Sequence, residues 1–169
     1  METNTAQQES TMKAEPQKEH HWLQQLVGGW TYETEVTMES HQHPEKATGT
    51  EMVRSLGELW ILAEGQGQMP GCSEANTLMT LGYDPQKQSY VGTWIGSMMT
   101  YLWSYTGELD ATERILTLNS DGPAMTGEGL AKYKDVLEFK SDDHRVMTSY
   151  VLSDDGHWHQ FMTVNYRRQ

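Results

Sequence analysis

The stretch Gly28-Gly29-Trp30-Thr31-Tyr32-Glu33-Thr34-Glu35-Val36-Thr37-Met38 decides the fold. Trp30, Tyr32, Thr34, Val36 and Met38 alternate with Thr31, Glu33, Glu35 and Thr37, the period-2 pattern of a half-buried strand. The chain ends on a second such run, Trp158 to Arg168, closed by Tyr166-Arg167-Arg168. In a closed antiparallel barrel the first and last strands are neighbours, because closure leaves no free edge. A terminal cation can then lie over the Trp30 ring and cap the barrel end. Arg168 is the better candidate of the pair, since it shares parity with Met162, Val164 and Tyr166.

Between these two strands lie eight further strand-like runs: Thr48–Leu56, Leu59–Met69, Asn76–Tyr83, Gln88–Ser97, Met99–Leu109, Ile115–Asn119, Tyr133–Lys140 and Arg145–Leu152. Turn-forming words separate them, among them His43-Pro44, Pro70-Gly71, Asp84-Pro85, Asp121-Gly122-Pro123, Ser141-Asp142-Asp143 and Asp154-Asp155-Gly156. About ten strands with mostly short links describe an all-β, single, closed up-and-down barrel. A two-sheet sandwich is the alternative way to satisfy so long a meander. Upstream, Pro16 opens a short helix of about three turns with Trp22, Leu23, Leu26 and Val27 on one apolar face. Gly28-Gly29 ends it, and such a helix suits the plug of a barrel end. Residues 1–15 are polar and aperiodic and read as a disordered lead-in, with the barrel domain at 16–169.

Composition narrows the function classes. The 169 residues suffice for one domain, and 24 acidic against 12 Lys and Arg residues give a net charge of −12. That balance argues against nucleic acid and anionic membranes, which demand a positive face. No run approaches the roughly 20 apolar residues of a membrane-spanning helix. Met1 to Thr11 lacks the basic and apolar regions of a signal peptide, so the cytoplasm is the expected compartment. The single Cys72 forms no internal disulfide and sits beside Glu74, which does nothing to lower its pKa.

Several words together resemble a known family. Leu81-Gly82-Tyr83-Asp84-Pro85, Tyr90-Val91-Gly92-Thr93-Trp94-Ile95, Gly107-Glu108-Leu109-Asp110 and the ending Trp158-His159-Gln160-Phe161-Met162-Thr163 with Tyr166-Arg167-Arg168 are similar to the bacterial domain-of-unknown-function family 1579. The Gly28-Gly29-Trp30 step resembles the opening of lipocalin and calycin barrels. The resemblance covers residues 13–168 and implies a calycin-like barrel with an N-terminal helix. It implies no activity. Fold relatives such as the fatty-acid-binding and nitrobindin-like proteins hold small hydrophobic ligands or haem.

Six Trp, eight Tyr and eleven Met give the chain many adaptable apolar groups with polar tips. Tyr32, Trp94, Tyr101, Trp103, Gln160 and Tyr166 are the expected lining of an interior site. Such a lining suits a small hydrophobic or mixed-polarity ligand, and equally a barrel packed solid by its own side chains. Glu64 or His159 is the expected polar handle, or the acid or base of an enzyme acting on the ligand. Glu64 enters the interior only if Trp60, Leu62, Glu64 and Gln66 face inward; the opposite face, Ile61, Ala63, Gly65 and Gly67, is the other reading. His159 is also the residue named for haem or a metal. His157-x-His159, His41-x-His43 and His20-His21 lack the further ligands of a metal site and read as solvated histidines. No catalytic residue is assigned: there is no nucleophile elbow, P-loop or dinucleotide fingerprint. A filled barrel serving as a dimer or interaction module, with a homodimer as one form, is the remaining alternative.

Overall fold

The computed structural model describes residues 13–37, 45–69 and 71–169. Most of the expected lead-in, Met38 and the His41-x-His43 pair lie outside the described residues. One helix, α1 (Lys18–Leu23), continues as a 3-10 turn at Gln24–Leu26 and leads into ten strands. These are β1 (Gly28–Val36), β2 (Glu45–Leu56), β3 (Trp60–Met69), β4 (Cys72–Asp84), β5 (Ser89–Gly96), β6 (Trp103–Leu109), β7 (Ile115–Pro123), β8 (Leu130–Ser141), β9 (His144–Leu152) and β10 (Trp158–Arg168). Each strand pairs antiparallel with the next, and β10 returns to β1 to close the barrel. Trp30 stands opposite Arg168 and Thr34 opposite Val164 in that closing register.

The alternation in β1 becomes burial. Trp30 and Thr34 are buried, while Thr31 is exposed. In β3 the inward face is Ile61, Ala63 and Gly65, and Glu64 points out. The helix seals one barrel end. Trp22, Leu23 and Leu26 are buried against a layer that includes Trp30, Tyr90 and Phe139. The polar atoms of this layer are satisfied by backbone carbonyls: Trp30 Nε1 donates to Leu26 O (2.8 Å) and Trp22 Nε1 to Glu113 O (2.7 Å). His20 is buried here too, against the reading of solvated histidines. Its Nδ1 accepts from Gln17 N at 2.9 Å, which makes Nε2, 3.1 Å from Tyr83 O, the donor nitrogen.

Arg168 fastens the closure. Its guanidinium lies 4.2 Å from the Trp30 ring centre and donates to Val27 O and Gln25 O, each at 2.9 Å, and to Asp142 O at 3.1 Å. The end of the last strand is thereby tied to the chain entering the first.

Two local readings are corrected. Asp121-Gly122-Pro123, expected as a turn, is the end of β7; the Trp103 ring lies where a Cβ of Gly122 would stand, 2.1 Å away. Met99 to Leu102, expected to open β6, belongs to the loop before it. Glycine also makes room on the β2–β3 wall. A Cβ on Gly49 would stand 2.3 Å from Tyr32 Oη, so the phenol lies against bare backbone.

Candidate functional site

The end opposite the helix opens into a cavity of about 520 Å³. The volume falls within the roughly 300–1,000 Å³ typical of small-molecule sites. The interior is therefore not packed solid. Its upper wall is apolar. Trp94 of β5 stands opposite Trp103 of β6 in register, and Tyr101, Phe161 and Pro123 complete the aromatic and rigid part. Six methionines line it as well: Met69, Met79, Met99, Met125, Met147 and Met162. Edge-to-face contacts join Tyr101 to Trp103 (5.1 Å) and Trp103 to Tyr133 (5.0 Å). Tyr101 Oη donates to Asp121 O at 2.8 Å, and Trp103 Nε1 to Met99 Sδ at 3.2 Å.

Lower down the lining turns polar. Asp135 of β8 accepts from Tyr105 Oη at 2.6 Å and from Ser149 Oγ at 2.5 Å. Burial pushes the Asp135 carboxyl above the usual carboxylate range, although both hydrogen bonds work the other way. Tyr105 is pushed well above the ordinary phenol range by burial and by the neighbouring Asp135. Glu51 of β2 is the second carboxylate. It pairs with Arg145 of β9, both side chains being nearly buried at 12% and 5% exposure. The Arg145 guanidinium lies 3.7 Å from the Tyr166 ring centre and 4.7 Å from that of Trp30. Its Nε has no hydrogen-bond partner among the described residues, so Glu51 and the two rings hold it. Arg145 thus sits between the cavity and the sealed layer below, outside the cavity lining itself.

Of the residues expected to contact a ligand, the structure brings Tyr32, Trp94, Tyr101, Trp103 and Tyr166 to the cavity. It places Glu64, His159 and Gln160 elsewhere. Glu64 is 60% exposed on the outer face, 4.0 Å from Arg54 Nη2. His159 is exposed beside the β9–β10 turn with Nε2 3.5 Å from Asp155 Oδ2, and Gln160 donates to Thr163 Oγ1 at 2.9 Å, also exposed. For Gln160 the reason is a bulge in β10. The register with β9 shifts between Gln160 and Met162, and one extra residue reverses which face a side chain takes. Gln160 therefore lost the parity it shares on paper with Met162 and Tyr166. No histidine lines the cavity, and no group of three or more metal-binding side chains is assembled, among the described residues. His159 is consequently not placed to hold a haem or metal inside the barrel.

Glu51, Asp135, Tyr105, Ser149 and Arg145 were not singled out from sequence. The signal existed for two of them. Tyr133, Asp135, Leu137 and Phe139 share one face of β8, and Asp135 is the lone charge among apolar neighbours. Arg145 stands on the same face of β9 as Met147.

A model described as "Protein of unknown function (DUF1579)" matches residues 15–168. No curated protein matches the chain in sequence. Solved structures share its architecture, among them the following two. Rv2717c from M. tuberculosis superposes with a TM-score of 0.58 at 10% identity, covering 92% of this chain and 99% of that one. The S-type phycobiliprotein lyase CPES from Guillardia theta gives 0.57 at 13% identity, covering 91% and 98%. At these identities the likeness is one of fold. No helix among the described residues is long and apolar enough to cross a membrane.

Proposed function

The chain belongs to the DUF1579 family of proteins of unknown function, and for this member we propose that the barrel binds a small, partly apolar molecule in its open half. The observation that carries the proposal is the cavity of about 520 Å³, walled by Trp94, Trp103, Phe161 and six methionines, with hydrogen-bonding groups at its base. Burying apolar ligand surface there is favourable by roughly 25 cal/mol per Å² before the costs of association. Methionine adapts to irregular shapes, so the wall suits a ligand of variable outline. Tyr32, Trp94, Tyr101, Trp103 and Tyr166 make the contacts in this reading, and Asp135 with Tyr105 and Ser149 supplies the polar handle that Glu64 and His159 were expected to give.

Native mass spectrometry of freshly purified protein, with extraction of whatever accompanies it, tests the reading directly. A second arm titrates the neutral dye Nile red into wild type and Ala63→Phe. Ala63 is buried and lines the cavity, so a phenyl ring there occupies ligand space. Saturable one-to-one binding to wild type that Ala63→Phe abolishes supports the proposal. Equal binding to both proteins would place the dye outside the barrel and refute it.

A further inference from the structure

The cavity has a sign. Its described lining contains two carboxylates, Glu51 and Asp135, and no Lys, Arg or His. Glu51 is neutralised by Arg145, which lies behind it and is shielded by Trp30 and Tyr166. Asp135 has no cation within ion-pair distance among the described residues. Its two protein partners, Tyr105 from β6 and Ser149 from β9, are neutral donors, each bonded to a different oxygen. A carboxylate can accept about four hydrogen bonds, so each oxygen keeps capacity toward the cavity. A half-buried charge held only by neutral donors is costly, and a cation is what completes it. The wall above adds faces for the same charge, since indole and phenol rings attract a cation placed over them. The chain's net charge of −12 favours cation approach from a distance.

We infer that the ligand of this barrel is an amphiphilic cation, an apolar or aromatic body carrying a protonated amine that seats on Asp135. This rests on the barrel-binding reading above. A carboxylate ligand would enter with no cation free to receive it. Alkyl carboxylates are therefore the class this cavity disfavours.

The test is a matched series with one chain length: decylamine, decanol and decanoate at neutral pH, each competed against Nile red on wild type and on Asp135→Asn. In wild type, decylamine is expected to bind tighter than decanol by at least about tenfold, the equivalent of one charge-assisted hydrogen bond net of desolvation. Decanoate is expected to bind weakest. In Asp135→Asn the amine and alcohol converge to within about twofold, each measured against the affinity of Nile red for that variant. Decanoate binding as tightly as decylamine, or an amine preference that survives Asp135→Asn, overturns the inference. If the variant does not fold, the wild-type order alone decides. Nile red or decanol bound without amine preference defeats this inference and leaves the barrel-binding reading standing. Rejection of all four probes by wild type defeats both.

Discussion

The two ends of the barrel solve the same problem differently. At the helix end, buried polar atoms have protein partners. Trp22, Trp30 and His20 bond to backbone carbonyls, and Arg168 to three of them. At the open end, a half-buried carboxylate has only a tyrosine and a serine, and the aromatic wall lines the cavity. A fold that closes its sheet completely has no edges to protect. It can therefore concentrate its stability at one end and leave the other incompletely packed. In the proposed reading that incomplete packing is what a ligand uses, since apolar volume and an under-bonded carboxylate are what it would fill.

The sharpest way to break the contrast is at Arg145. Arg145→Ala leaves Glu51 buried and unpaired, and stability should fall by about 3–5 kcal/mol. Replacing both members, as Glu51→Leu with Arg145→Met, should recover most of that loss, since an apolar pair avoids the desolvation cost. Urea denaturation of both variants measures the difference. A loss under 1 kcal/mol in the single variant would mean that Glu51 finds another partner or water.

Arg168→Ala comes next. It removes the charged hydrogen bonds to Val27, Gln25 and Asp142 and the contact over Trp30. Because the site is partly exposed, the expected loss is smaller, about 1–3 kcal/mol. Hydrogen exchange should show the loss concentrated at the β1–β10 seam and the entry to α1. Uniform deprotection across the barrel would contradict a local clasp.

How much of this was legible in the sequence follows from what strand parity can carry. Ten strands and their closure are readable because polar and apolar residues alternate cleanly in runs such as Trp30 to Val36, and because turn words fall between them. Parity fails wherever the backbone adds a residue or a side chain takes an unusual neighbour. The bulge before Met162 turned Gln160 outward with no local sequence signal. Gly122 reads as a turn residue but serves as the floor under Trp103. The polar base of the cavity was harder still. Glu51 and Arg145 stand 94 residues apart, and only the closed barrel makes them a pair. Asp135 was within reach, as the single acid on an apolar face of β8, but acids on strands are common and its partners lie on two other strands.

The pH dependence of the unliganded protein sharpens the same comparison. Burial holds Asp135 above its unfolded pKa, so in that window the native state binds more protons than the unfolded state. Stability contributed by the protonated carboxyl is therefore lost as pH rises from about 4 through the native value. Asp135→Asn should flatten this descent, read as urea midpoints collected between about pH 4 and pH 7. A descent unchanged in the variant would assign it to another group.

The smallest effect is expected at the mouth, and it separates the two ends most cleanly. Met99 lies in the loop before β6, is 41% exposed and accepts from Trp103 Nε1. Met99→Ala releases that indole N–H to solvent rather than burying it unpaired, so global stability should change by no more than about 0.5 kcal/mol. The thioether nevertheless lines the cavity, and its removal should weaken Nile red binding by about fourfold, the equivalent of one buried CH2. Trp103 should also change its fluorescence, since the sulfur at its ring nitrogen is gone. A stability loss approaching that of Arg168→Ala would show that the mouth is part of the load carried by the fold. Unchanged dye affinity would show that ligands sit deeper, against the Asp135 layer, and never reach the rim.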